Sequence, residues 1–560
     1  MKTKSPHKKG EKVKAQKLPI KQKGILEKLE YWLNENHKKV FISVLILNVI
    51  FIFLHFNLKI SEANDDSMYI EDAFRFAKDF FGYYTPNAPF YPMMLSVVVR
   101  IFGINLFWLK LTSVIFTILN VVFFYRLFKN RISYIVLFLV MFIQSVNYYF
   151  IYYSSVTFTE QFFLFLQVLF FLVFYKAYEK SDAIETKSIG DIRIWLLSAF
   201  VLFIMTLSRN VAIGALIPIL LFFAINKKGY SLLLFILSFL IFRVPFEFLR
   251  SAVWGSKNQF AAQGSSLIVQ KDPYDPSKGT EDLMGYIQRF FDNYGLYISK
   301  RFYQILGFVN ENDYVIKPGL GLIFLVVAII CFVLIIKKKN NFLKLFMLYA
   351  SAMTAITFVA VQKSWDQYRL ILVFLPFILV LLFEPLISYS FLKSKILQVI
   401  LVVFITILVF NSTVHSLVKA KSNIPILVNN IKGDRYYGYT DDWVNFLKMS
   451  KWCGDSLPSG DYVASRKAPM SFIYANGREF YPIYTVSSTN PDSVLSQFKA
   501  NGVTHVMLAS LRRNPKRNDG FIINTIHRMM QPVAQKYPGK LTLIKQIGNV
   551  EPTYLYKINY

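Results

Sequence analysis

The chain has 560 residues, of which 54% are hydrophobic and 17% aromatic, with a mean hydropathy of +0.39. A soluble protein of this length would not be so apolar throughout, so the composition predicts a polytopic α-helical membrane protein. The net charge of +29 does not argue for nucleic acid, because Lys and Arg sit in a leading tail and in short clusters between apolar runs, as charges that orient membrane helices do.

Residues 1–38 open with MKTKSPHKKGEKVKAQKLPIKQKG, nine Lys against one Glu, with no apolar run. They read as a cytoplasmic tail that touches anionic lipid, and poorly as a signal peptide. Apolar spans are then predicted at 39–58, 106–127, 132–152, 157–176, 193–208, 211–226, 231–250, 318–337, 342–361, 367–387 and 394–414. Most approach the ~20 residues that cross a bilayer, while the fifth and sixth are short. Starting from inside, alternate turns carry Arg126, Lys129 and Arg131, then Lys227 and Lys228, then Lys337 to Lys339, then Lys393 and Lys395; only the turn 177–192 is mixed. Short basic turns on one side are the positive-inside pattern. The transmembrane domain is therefore expected at 39–414. Its loops 59–105 and 251–317, and a domain at 415–560, are expected outside the cytoplasm. Cys331 lies in an apolar run and Cys453 in a polar region, so no disulfide framework is expected.

The first outside loop begins FNLKISEANDDSMYIEDAFRF, with Asp65 and Asp66 side by side just past a span. Tyr69, Ala73, Phe76, Ala77 and Phe80 recur at helical spacing opposite charged residues, which predicts an amphipathic helix in the interface. Asp66 reads as the N-cap of that helix, which leaves Asp65 unexplained. NAPFYPMMLSVVVRIFG follows as a proline-bounded turn into a short apolar helix. In the tail, VASR, FIYANG, THVMLAS, LTLIKQI and YLYKIN read as strands, with helices at NPDSVLSQFKANG and GFIINTIHRMMQPVAQKY. This predicts a small α/β domain without a glycine-rich phosphate loop or a metal-spaced cluster, best read as a lid or docking domain.

These residues carry a resemblance. DDSMY followed by NAPFYPMML and VVVRIFG resembles the opening of the GT-C membrane glycosyltransferases, which include protein O-mannosyltransferases and the enzymes that add aminoarabinose to lipid A. SSVTFTEQFFLFL resembles the acidic start of the family's fourth span, with Glu160 in that place. MTLSRNVAIGALIPILL, with Arg209, resembles the turn between the fifth and sixth spans. DQYRLILVFLPFILVL, with Arg369, resembles the start of a late span, and SGDYVASRKAPMSFIYANGREFYPIY the outer α/β domain. Asn87 stands where relatives often have His or Lys, and Tyr368-Arg369 reverses the usual order.

The resemblance implies inverting transfer of a hexosyl or pentosyl group from a polyprenyl-phosphate sugar to an extracytoplasmic acceptor, which is a glycolipid, a protein or a cell-envelope polymer. It implies an integral protein of a bacterial inner or plasma membrane. Asp65, Asp66 and Glu160 become catalytic candidates, with Asp65 at the family's base position. Tyr69, Asn87, Tyr91, Arg209, Lys363 and Arg369 become candidates for the donor phosphate and substrate. No cofactor is assigned, and a divalent metal is left open. From the residues alone, Asp65, Asp66, Glu160, Arg209, Lys363, Asp366 and Arg369 come from separate membrane ends on one expected side, and ionisable residues there are costly without a partner or a task. Lys363 and Arg369 have a bland alternative in snorkelling to headgroups. Two other function classes stay open: a transporter or flippase for lipid-linked sugars, and a non-catalytic subunit that keeps the fold. A transporter commonly shows internal halves and midplane charges; this chain shows no convincing repeat, and its charges gather at one face.

Overall fold

The computed structural model describes residues 24–85, 88–182, 188–255, 268–272, 278–362, 365–388, 394–515 and 518–560. Among the described residues eight helices are long and apolar enough to cross a membrane, beginning with α1 (Ile25–His55), α4 (Leu106–Phe128), α7 (Thr159–Asp182), the helix ending at Ser208 as α8 (Ile192–Ser208), and α10 (Gly229–Trp254). The remaining three are Pro318–Lys337, Asn341–Ala360 and Lys395–Ile431. The pair α5 (Tyr134–Val146) and α6 (Tyr148–Tyr152), the latter continued by a 3₁₀ turn to Ser155, is long and apolar enough only when taken together, and its 54° bend makes it a broken span or a re-entrant segment. Asn147 makes the bend: its side chain accepts from the Tyr149 N–H and donates to the Ile305 carbonyl at 2.7 Å, replacing the helical bond pattern.

Two expected spans are not single α-helices. The segment near 211–226 begins as a 3₁₀ turn at Asn210–Ala215 before α9 (Leu216–Ile225). The segment near 367–387 breaks into Arg369–Leu372 and Leu375–Ser388, with Pro376 in the first turn of the second piece. The last span instead outruns its expected end at 414, continuing unbroken to Ile431 and rising from the bundle towards the tail domain.

Between α1 and α4 lie α2 (Asp65–Lys78) and α3 (Phe90–Phe102). The expected interfacial helix is α2, but it does not lie free. It packs between α3 and the tail domain, so Glu71 and Asp72 of its charged face are buried, while Lys78 and Asp79 stay exposed. Glu71 pairs with Arg75 at 2.8 Å, and Asp72 accepts from Tyr83 and from Thr85 at 2.7 Å. Burial of carboxylates is tolerated here because each has such a donor.

The tail holds a five-stranded sheet in the order β2-β1-β3-β5-β4. β1 (Val463–Ser465) pairs in parallel with β2 (Phe480–Pro482) and β3 (His505–Ala509); β5 (Thr553–Ile558) runs antiparallel to both β3 and β4 (Leu541–Ile547). Helices Pro491–Ala500 and Thr525–Lys536 cover it through Val494, Phe498, Met529 and Val533, as their spacing predicts. FIYANG is not a strand. Its first half closes the helix Ala468–Tyr474, which Pro469 opens and whose side chains are buried, and the strand is the following FYP. That helix meets α2 directly. The Phe74 and Phe472 rings lie 5.2 Å apart edge to face, and Arg75 reaches Glu479 at 3.5 Å. The first loop and the tail domain therefore share one side of the bundle.

Candidate active site

The site is built at the start of α2. Asn64 is its N-cap in the left-handed conformation (φ 80°), so Asp65 and Asp66 occupy the first helical turn, where the helix dipole favours negative charge. Asp66 is thus not the cap that the sequence predicts. It is fully buried and turns inward, accepting the Ser61 N–H at 2.8 Å and the Ser67 N–H at 2.9 Å. Burial pushes its carboxyl above the usual carboxylate range, opposed by the Ser61 amide and the nearby Lys110 ammonium.

Asp65 turns the other way, with its side chain 36% exposed to a cavity of about 250 Å³. Its Oδ2 meets Arg369 Nη2 at 2.5 Å, its one side-chain hydrogen bond among the described residues. Arg369 is steadied by Gln367 Oε1 at 2.6 Å and by the Phe158 ring at 5.1 Å. Its Nη1 lies 3.7 Å from Glu160 Oε1, and Arg209 Nη1 lies 3.1 Å from the same oxygen. The two guanidinium groups, from residues far apart in sequence, therefore flank one carboxylate.

Each side chain is delivered by a break in regular structure. Arg209 is the extended residue that ends α8, Arg369 opens the short helix before Pro376, and Glu160 is second in α7. The Glu160 side chain is only 1% exposed, and its Oε2 has no hydrogen-bond partner among the described residues. Its recorded bond runs from Oε1 to Arg209 rather than to a backbone N–H of α7, so Glu160 does not act as a helix cap among the described residues. Thr159, Val211, Thr357, Val361 and Phe374 complete an otherwise largely apolar wall. In such a wall, charge-assisted hydrogen bonds are stronger than in water.

Tyr69 lines the cavity one helical turn after Asp65. Burial, then Asp65 and Glu160, push its phenol up to about 12, so it is a donor at neutral pH. Tyr91 does not line the cavity; it stands behind Tyr69, ring edge to face at 5.4 Å, with its hydroxyl 3.4 Å from Ser113. Asp366 also belongs elsewhere, pairing with Arg301 and, at 3.4 Å, with Lys300 on a π-helical turn at Tyr297–Arg301. Asn87 and Lys363 lie outside the described residues. Two charged residues missing from the sequence reading support the site from behind: Lys110 and Lys467. Both are buried, but nothing in their local sequence sets them apart from other basic residues.

Asp65 and Glu160 are the acidic side chains on the cavity, and both already bond to guanidinium. Among the described residues no three His, Cys, Asp or Glu side chains converge. The donor set here fits an anion held by two arginines better than a divalent cation.

No protein-family model matches the chain, and no curated protein matches it. Solved structures do. The chain superposes on the archaeal oligosaccharyltransferase AglB of Archaeoglobus fulgidus, in complex with an inhibitory peptide and a dolichol-phosphate, with TM-score 0.56 and 12% identity over 85% of this chain and 70% of that one. The apo form of the oligosaccharyltransferase from the same organism gives TM-score 0.54 and 13% identity over 84% and 69%. ArnT from Cupriavidus metallidurans bound to undecaprenyl phosphate gives TM-score 0.53 and 9% identity over 92% and 97%. The chain shares the fold of these structures, the GT-C fold that its short motifs resemble.

Proposed function

We propose that the protein is an inverting glycosyltransferase that moves a hexosyl or pentosyl group from a polyprenyl-phosphate donor to a hydroxyl acceptor outside the cytoplasm. One observation carries this reading: a partly exposed carboxylate, Asp65, and two guanidinium groups, Arg209 and Arg369, open on a single cavity at a membrane end. The solved structures of the same fold support it, since their bound ligands include dolichol-phosphate and undecaprenyl phosphate.

The chemistry follows from the groups. An acceptor hydroxyl attacks the anomeric carbon, Asp65 takes the hydroxyl proton, and the bond from that carbon to the phosphate oxygen breaks with its electrons leaving on the phosphate. A phosphate is a weakly basic leaving group and needs no general acid. It does gain charge, which two guanidinium groups meet with paired N–H donors. Arg369 is now shared between Asp65 and Glu160, so an arriving phosphate competes for it and leaves Asp65 free to face the acceptor. Glu160 keeps both arginines oriented in the meantime. Asp65 and Asp66 point apart, which is unlike the opposed carboxylates that a retaining mechanism requires.

The test is to incubate the purified protein with a panel of polyprenyl-phosphate sugars and candidate acceptors and to follow free polyprenyl phosphate. Release that depends on Asp65 supports the reading. Movement of intact donor across a vesicle bilayer, with no release from any panel member, would replace it with a transport function.

A further inference from the structure

The segment between α1 and α2, residues 56–64, delivers Asp65 yet has no helix or strand of its own. Buried backbone groups outside regular structure must find partners elsewhere, so where they go states what holds the segment. The Phe56 carbonyl accepts from Asn423 at 2.9 Å, and the Leu58 N–H donates to Asn430 Oδ1 at 3.0 Å, both on the long helix Lys395–Ile431. Ile60 gives its N–H to the Tyr439 hydroxyl at 2.7 Å and takes that hydroxyl's proton on its carbonyl at 2.8 Å. The Asn57 and Lys59 carbonyls both accept from Lys110 on α4. Finally the Glu62 carbonyl accepts from Lys467 Nζ at 2.8 Å.

Lys467 is the contact from the sheet domain itself, following β1 and preceding the helix Ala468–Tyr474. It is 8% exposed, with its ammonium over the Trp443 ring at 5.7 Å and within the electrostatic reach of Asp65, Glu62 and Asp66. A buried ammonium is costly unless it is used, and a carbonyl three residues before the catalytic candidate is its one hydrogen-bond acceptor among the described residues. A lid would meet α2 through its outer face alone. Here the tail domain reaches past the helix to the segment that sets where the helix begins.

We infer that Lys467 is a positioning residue through which the C-terminal domain fixes the segment 56–64 and thereby the place of the Asp65 carboxylate. The domain is thus a built-in part of the site rather than a detachable cover. Lys467 does not line the cavity, so it acts through the backbone and not on the sugar donor. This rests on the reading of Asp65 as the base; the first readout below does not.

The experiment compares the full chain with Lys467→Met, which keeps length and loses the ammonium, and Lys467→Arg, which keeps a donor. Hydrogen exchange of the amides at 58–62 and 65–68 is measured first. Lys467→Met should exchange at least about tenfold faster there while distant β4 and β5 stay unchanged, and Lys467→Arg should restore most of the protection. Unchanged exchange at 58–68 would overturn the inference whatever the protein catalyses, and so would loss of protection throughout the tail domain, because that signals general unfolding. Turnover on a polyprenyl-phosphate sugar is the second readout. Lys467→Met should lower kcat about 10- to 100-fold with donor KM within about twofold, as misplacement of a base predicts. A raised KM at unchanged kcat would make Lys467 a binding residue and sink the positioning role. If wild type shows no transfer at all, the proposed activity fails, while the exchange result still decides the positioning role.

Discussion

Adjacent residues on a helix point in different directions, and at Asp65 and Asp66 that separates a carboxylate that opens on the cavity from one buried against backbone amides. Asp65→Asn keeps shape and removes basicity, so transfer should fall roughly 10²–10⁴-fold with folding and donor binding retained; turnover and lipid binding measured on the same preparation check both halves. Asp66→Asn should do the opposite. Its amide would turn an N–H towards the Ser61 or Ser67 N–H, and a buried donor without an acceptor costs about 1–3 kcal/mol. Thermal unfolding should therefore drop for Asp66→Asn, with activity per folded molecule much less affected than in Asp65→Asn. Arg369→Lys is a third contrast. A guanidinium spans Asp65 and Glu160 at once, whereas an ammonium is a single point charge, so the exchange should cost about 10²–10³ in turnover at saturating donor. Nearly normal turnover in Arg369→Lys would remove Arg369 from the leaving-group role. Asp65 was legible in the sequence as a candidate because a cap would explain one Asp and not two, although the cap is in fact Asn64. The work of Asp66 was not, because it depends on Ser61 and on Lys110 in another helix.

At the scale of elements, apolar periodicity located the long helices of the bundle but neither their breaks nor the helix Leu283–Leu296, which packs on Asn341–Ala360 within the expected loop 251–317. The bend at Asn147 and the 3₁₀ start at Asn210 come from side chains and turns that a hydropathy window averages away. FIYANG shows the same limit in the tail, where β-favouring residues form a helix because the packing between α2 and the sheet calls for one there. The sheet also carries a titrating residue. His505, in β3, is 3% exposed. Burial holds its imidazole below the ordinary value, Asp461 partly offsets this, and Lys557 and Arg478 reinforce it. The folded protein then binds this proton less readily than the unfolded chain does. Its contribution is fully present above about pH 6.5 and is lost as pH falls below that, by up to about 1.4 kcal/mol per pH unit. Unfolding of the tail domain in the full chain should thus be easier at about pH 5.5 than at about pH 7.5, and His505→Gln should flatten part of that difference. Equal pH dependence in the variant would show that other groups govern it; His527, also lowered by burial, is the next to test.

For the whole molecule, the contacts of Phe74 with Phe472 and of Arg75 with Glu479 put the first loop and the tail domain on one side, and the basic turns propose that this side is outside. Cysteines at the exposed positions Phe81 and Ser496 should react with an impermeant reagent on intact cells, and one at exposed Asn34 only after lysis. The two native cysteines are buried, which keeps the background low. Reaction at Asn34 in intact cells would invert the arrangement and take the proposed site with it. The sequence by itself determined the class of protein and the order of its long apolar helices, and its basic turns propose the side on which its acidic and basic residues gather. Those follow from composition and local charge, which any stretch of chain carries with it. Tertiary structure decided which of those charges meet. Asp65 and Arg369 are 304 residues apart and in contact, whereas Asp366, three residues from Arg369, bonds to Lys300 and Arg301 instead. Pairing is set by which helix ends the bundle brings within hydrogen-bond reach, and no local pattern records that distance.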